Sequence, residues 1–490
     1  SIGNNEAVYL NQPNQGLALF RVIGPEASEI FGTLKATGAL FLINPNGILF
    51  APGSQVDVGS LVASTMRIQD ADFLLGNYQF CADPNAPANA SVINQGVLKA
   101  ADGGYLALLG GQVENAGTMQ ANKGSVLLGS AQSAVLNFYG DGLVRVNLGG
   151  DALNALIQQT GNITANGGAV QLASKARSAA LNVSGVVQAN SLVERNGVIR
   201  LEGGAGSTVI VSGKLEASGK IANTKGGNVA VTGERVALLD GATIDVSGNN
   251  GGGEALIGGD YQGKNPDVQN AFRTYVGSGV TINADATESG DGGKVIVWAD
   301  DVTRFYGNIS AQGGAQSGNG GFVEVSGHES LIYKGAIDAS ATNGLAGSVL
   351  FDPKNINIVL GGADPVATND QFAENAAGTS NIDESLIEAI IVAGTNVTLQ
   401  ANNDITVNQA ITLAASAGTD GTLTLQAGRS VLINQSITGT DGAFVALANA
   451  TVADGVIDAN RDAGAAAITM ANGTTINTGS GNITLTMSTG

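Results

Sequence analysis

The chain has 490 residues, of which 72 are glycine and 9 proline, yet 43% are apolar; that is too apolar for disorder and lacks the collagen triplet, so internal repetition is left to explain the glycine. Forty-one acidic against 22 basic side chains give a formal net charge of −19, which argues against nucleic acid or an anionic membrane surface as a partner. No apolar run approaches the roughly 20 residues of a spanning helix, so stable membrane insertion is not expected, and the single cysteine, Cys81, excludes a disulfide framework or a thiolate metal cluster.

Three stretches stand out in the first 90 residues: LFRVIG at Leu19–Gly24, FLINPNGILF at Phe41–Phe50, and VDVGSLVAST at Val56–Thr65. The middle one sets two strand-forming runs around Asn44, Pro45, Asn46, Gly47 and Ile48, which reads as strand, tight turn, strand. Pro45 fixes φ, Gly47 tolerates positive φ, and the two Asn side chains can bond nearby backbone. That combination makes a rigid turn and no catalytic loop. Residues 81–90, rich in Ala and Asn, read as a loop.

Within Val8–Ile68 these stretches resemble the secretion domain of two-partner-secretion exoproteins, the filamentous-haemagglutinin N-terminal domain. The resemblance implies export through a dedicated outer-membrane barrel transporter and secretion or display at the surface of a Gram-negative cell. It also implies work as a large adhesin toward a host-cell or glycan receptor, with Asn44–Ile48 as the secretion-motif turn. Some members carry a second Asn-Pro-Asn-Leu turn; the nearest string here is Asp83-Pro84-Asn85-Ala86. The abrupt SIGNNEAVYL start and the strand-like end at Ile483–Met487 lead us to expect a fragment cut at both ends.

From Asn94 onward the chain repeats. Gly227, Gly293 and Gly321 each close a glycine cluster and are followed 14 residues later by Gly241, Gly307 and Gly335. The step from Gly293 to Gly321 is 28 residues and that from Gly321 to Gly347 is 26, a length that suits one solenoid coil of three short strands. In this register Val229 and Val231, Val295 and Val297, and Val323 and Val325 coincide and are expected inside. Ala230, Ile296 and Glu324 alternate with them and are expected outside, together with Trp298. The fold class expected is all-β, a right-handed parallel β-helix forming a monomeric rod. A loop inserted near 260–279, pinned by Tyr261, Phe272 and Tyr275, interrupts it.

The divisions expected are a secretion domain over 1–90, coils over 91–360, a linker and short helix over 361–394, and further coils over 395–490. Ser380 three residues before Asp383 looks like a cap; Ile382, Leu386, Ile387, Ile390 and Ile391 share one helical face, and Gly394 ends it. The resemblance persists past Asn94 in KVIVWADDVTRFYGNISAQGG, GGFVEVSGHESL and NVTLQANNDITV.

Chemistry is sparse. Asp245, Asp285, Asp291, Asp300, Asp301, Glu324 and Asp338 occupy comparable sectors of successive units, but most sit where Asp serves a turn, so no catalytic residue, metal or cofactor is assigned and the chain is not expected to be an enzyme. His328 is the only histidine and is expected to be solvated or locally bonded. Asn249–Glu254 and Gly258–Asp260 resemble calcium-binding glycine-rich nonapeptides without repeating their spacing. Nine Asn-x-Ser/Thr sequons occur, and Asn162, Asn308 and Asn396 are the glycosylation candidates. A carbohydrate-active β-helix enzyme and a purely structural extracellular fibre are the alternatives to an adhesin.

Overall fold

Short strands with alternating apolar residues leave one face to bury, and a repeating chain can bury it against its own next copy. The computed structural model describes residues 1–150, 152–362, 370–374, 378–413, 421–457 and 460–489. Outside one antiparallel sheet its strands pair parallel and in register, so the fold is the expected parallel β-helix. The chain falls into two compact units, Ser1–Glu234 with Ala242–Ile244, and Arg235–Gly241 with Asp245–Gly490.

In the first unit strand Thr33–Ile43 pairs with Gln55–Ser64, on which Tyr105–Gly110, Ser125–Ser130, Ala169–Ser174, Val198–Gly203 and Asn228–Thr232 stack in turn. The register aligns Leu40, Leu61, Leu106, Val126, Val170, Ile199 and Val229 into one buried column. Each such side chain contributes roughly 1.5–3 kcal/mol of apolar burial. One corner of the coils is polar instead. Asn94 Nδ2 donates to Asn115 Oδ1 at 2.7 Å, and Asn115 Nδ2 to Gln159 Oε1 at 2.8 Å, all fully buried. Amides stacked coil on coil satisfy one another and avoid the cost of bare burial.

The same unit carries a four-stranded antiparallel sheet outside the coils, made of Arg67–Ile68, Gln79–Cys81, Ser133–Phe138 and Val144–Gly149. It covers the outward column Phe41, Val62, Ala107 and Leu127 with Phe80, Leu136, Val144 and Val146. The Phe41 ring lies 5.6 Å from Phe73, 5.2 Å from Tyr78 and 6.0 Å from Phe80. The repeat pattern does not predict this sheet, because its strands alternate as the coil strands do and only the pairing differs.

In the second unit the coils over residues 294–338 have three strands each. Lys294–Ala299, Val302–Phe305 and Asn308–Ser310 pair in register with Phe322–Gly327, Ser330–Tyr333 and Ala336–Asp338. Val295 on Val323 and Val297 on Val325 form the expected interior ladder, which Val349 continues, all fully buried. Inside another face Phe305 stacks on Tyr333 at 5.8 Å, and Phe351 meets Tyr333 at a tilt, 4.7 Å away.

The expected helix is present as Glu384–Val392, burying Ile387, Ile390 and Ile391, and Gly394 at φ +88° follows its end. Its cap lies three residues later than the Ser380 spacing predicts. Asp383 accepts from Ser385 N at 3.0 Å, while Ser380 belongs to strand Ser380–Asp383 and its hydroxyl accepts from Leu331 N at 2.8 Å. A five-residue helix, Asp70–Leu74, lies in the first unit. Of the expected linker over 361–379, residues 363–369 and 375–377 lie outside the described residues.

One expectation needs correction. Ile296, Glu324 and Trp298 do alternate with the interior valines, yet they are only 0%, 0% and 3% exposed. Residues 258–272 return over this face and bury it. Tyr261 holds the excursion, 5.7 Å from Phe322, and Phe272 lies 5.0 Å from the Arg273 guanidinium. Tyr275 is no part of it: it lies in strand Arg273–Val276, 5.8 Å from the ring of Tyr306, so the interruption ends before 279.

Candidate functional site

The Asn44–Ile48 turn joins strand Thr33–Ile43 to strand Ile48–Phe50. Asn44 is fully buried and uses its side chain completely. Its Oδ1 accepts from Asn46 N at 3.0 Å, and its Nδ2 donates to Glu26 O at 3.0 Å and Ser28 Oγ at 2.9 Å. Its backbone N–H donates to Ser64 O and its carbonyl accepts from Gly47 N. Asn46 Nδ2 donates to Gly24 O at 2.9 Å. Gly47 sits at φ +120°, a conformation that strains any residue with a Cβ.

These bonds explain why the three sequence stretches occur together. Strand Leu17–Arg21 pairs with Ala39–Ile43, Ile48–Phe50 pairs with Ser28–Ile30, and Ile43 pairs with Ser64. The turn is thus the knot at which LFRVIG, NPNGI and VDVGSLVAST meet. Satisfied buried amides of this kind hold one geometry, since losing one partner leaves the other bare.

Beside the knot lies a groove of about 760 Å³ that Asn46 shares with Asp83 and Asn85. Asp83-Pro84-Asn85-Ala86 repeats the first turn's bonding, Asp83 Oδ1 accepting from Asn85 N at 2.9 Å, so two like turns border one groove. Arg21 on its wall pairs with Asp70 at 2.8 Å, and Ile23 at its edge is 95% exposed. Neither the pairing of the two turns nor the exposed Ile23 could be read from the sequence, because both depend on which coil corners coincide.

The carboxylates are dispersed into local roles. Asp245 accepts from Ser247 N and Oγ, Asp338 from Ser340 N, and Asp291 from Asn319 N. Asp285 accepts from Ser310 Oγ at 2.6 Å and Gln312 N at 2.7 Å; burial, then the charges of Asp338 and Asp245, raise its pKa. Asp300 accepts from Trp298 Nε1 at 3.0 Å, and Asp301 pairs with Arg273 at 2.6 Å. Glu324 is different, being buried beneath Gln262. His328 lies against Asn460, with Nε2 and Nδ2 2.7 Å apart. In the glycine-rich stretches Asn249 donates to Glu288, and Asp260 pairs with Lys294 at 2.6 Å. Asn162 and Asn308 are exposed at the starts of their strands; Asn396 is half-buried and its Oδ1 accepts from Thr422 N.

Residues 1–217 match the family model described as TPS secretion domain. The crystal structure of the HMW1 secretion domain from Haemophilus influenzae is similar at a TM-score of 0.61 and 31% identity, over 69% of this chain and 89% of that one. A heme/hemopexin-binding protein of Haemophilus influenzae is 34% identical over 187 residues, 37% of this chain and 20% of that protein. A second protein of that description and species is 39% identical over 80 residues, 16% of this chain and 9% of its own. The match therefore spans a fifth or less of the length of these curated relatives.

Proposed function

Because the chain belongs to the two-partner-secretion exoproteins, carrying their TPS secretion domain at residues 1–217, we propose that its first coils are read by a dedicated outer-membrane barrel transporter and that the coils beyond adhere to a host-cell or glycan receptor. The observation that carries the reading is the knot at Asn44, where the three stretches shared with the family close on one another. In this reading residues 1–90 hold the recognition turn within the secretion domain, the coils beyond residue 217 up to 360 and those over 395–490 are display coils, and 361–394 joins them.

Stacked coils also supply a driving force. Each emerging coil adds to a finished template through nearest-neighbour contacts, so folding outside draws the chain outward without nucleotide hydrolysis. We propose no catalysis. The carboxylates are tied into corners and ion pairs, an arrangement unlike two acids facing an open substrate groove. Heme or hemopexin binding belongs to the relatives' description, and this chain matches a fifth or less of their length, so adhesion is the reading proposed.

The test is export from a Gram-negative cell in the presence and absence of the cognate transporter. Asn44→Ala strands Glu26 O and Ser28 Oγ and should cost about 1–3 kcal/mol locally. Secretion of Asn44→Ala and Asn46→Ala should fall while the purified variants keep their strand signal. Export at the native level for both variants, or export without the transporter, would overturn the assignment. Binding of the purified chain to cells or glycans separates an adhesin from a structural fibre.

A further inference from the structure

The excursion over residues 258–272 does not lie on its own coil. It reaches forward over coils that come later in the chain, within the second unit. Gln262 N donates to Glu324 Oε2 at 3.0 Å, and Gln262 Nε2 donates to Asp352 Oδ2 at 3.0 Å and Gln400 Oε1 at 3.2 Å. Lys264 Nζ donates to Gln262 Oε1 at 2.8 Å and to Gly455 O at 3.3 Å. Gln262 is 5% exposed and held at φ +52°, a strained conformation kept only by its surroundings.

The chain's only tryptophan lies under the excursion. A Cβ on Gly263 would come within 2.7 Å of the Trp298 indole, and one on Gly259 within 2.7 Å of its Cδ1, so both glycines are there to let the backbone lie on the ring.

We propose that this excursion is a releasable, proton-dependent clasp: it closes on a completed stack of coils through Glu324 and Asp352, and its opening uncovers the outward face at Ile296 and Trp298. One residue donates to two carboxylates, 62 and 90 positions downstream, so the clasp has no full set of partners until those coils are in place. The groups facing Glu324 are Asp352, Lys294, Gln262 and Ser326; those facing Asp352 are Lys264 and Gln262. Lys294 is itself held by Asp260 and Glu254. Tyr261 shares the cover, its phenol pushed up by burial and by both carboxylates.

Burial, with the Asp352 charge, pushes Glu324 up to about 8, and burial pushes Asp352 up to about 7. Both values lie above the ordinary 4.5 and 3.8, so the closed form holds protons that the open form releases. Its advantage is complete below the ordinary carboxylate range and disappears as pH rises through about 7 to 8. Two buried negative charges then share one cover, and hydration favours opening.

Trp298 fluorescence in the full chain tests this. Between pH 6 and pH 9 acrylamide quenching of Trp298 should rise several-fold and its emission should move to the red, while the far-ultraviolet strand signal stays constant. The Glu324→Gln, Asp352→Asn double variant should remain shielded at both pH values. Gly263→Ala, whose methyl collides with the indole, should be quenched strongly at every pH. Flat quenching of the native chain across this range would overturn the clasp. So would a double variant that follows the native pH curve, or a Gly263→Ala chain as shielded as the native one.

Discussion

Both units bury part of the outward side of their coils, and they do so by opposite chemistry. In the first, Phe41, Val62, Ala107 and Leu127 form an outward apolar column beneath an antiparallel sheet, continued by the aromatics Phe73, Tyr78 and Phe80. In the second, the covered face includes Glu324 and Asp352, and the cover is an irregular excursion that bonds through Gln262. An apolar cover is indifferent to pH and closes once packed; a polar cover is only as stable as the protonation of what lies beneath it. The carboxylates sharpen the contrast. Glu216 in the first unit is met by Lys214, Lys220 and Asn190, whereas Glu324 faces another acid.

The largest effect should come from breaking the apolar cover. Phe41→Ala removes a fully buried ring from the centre of the aromatic cluster and should cost about 3–5 kcal/mol. Denaturant unfolding should show it at every pH from 5 to 9. A loss that varied strongly with pH would mean that the first unit's cover is not the apolar layer described. A proline in the valine ladder, Val323→Pro, comes next. It removes a ladder hydrogen bond and an interior side chain and should cost about 3 kcal/mol. If coil stacking draws the chain outward, secretion of this variant should also slow, and an unchanged secretion rate would count heavily against that mechanism.

Much of this was legible in the sequence, for a physical reason. Inward positions of a solenoid are constrained coil after coil, so the valines at 295, 297, 323 and 325 repeat visibly, and the glycine spacing carries the coil length. The turn at Asn44 was legible too, because Pro, Gly and Asn have local conformational consequences. Outward positions obey no such rule. Whether Trp298 meets water or Gly263 depends on where residues 258–272 go, and nothing in the alternation around Trp298 records that. Phe41 carries a signal of its cover as well: FLI at 41–43 is a continuous apolar run, and a strand apolar on both sides must be covered on both. The Asn94–Asn115–Gln159 ladder left a fainter trace, an amide recurring at one corner over unequal coil lengths.

The smallest predicted effect contrasts the two buried carboxylates by the sign of their pH dependence. Burial works against ionisation of Glu216, but hydrogen bonds from Lys214, Lys220 and Asn190 outweigh it and hold the group down to about 2. Its folded value is below the ordinary 4.5, so its stabilisation is present above that value and is lost as pH falls toward 2. The two lysines are 41% and 60% exposed, so screening keeps the contribution of each to less than about 1 kcal/mol. Lys220→Ala should therefore be slightly less stable than the native chain at pH 7, and the difference should vanish by pH 2. Glu324→Gln should behave in the mirror sense: no difference from the native chain near pH 4, and a growing advantage as pH rises through 8, because glutamine keeps an acceptor for Gln262 N without acquiring charge. Unfolding midpoints for both variants across pH 2 to 9 decide the matter. Curves that diverge from the native chain in the same direction would show that the two carboxylates are not held by opposite means.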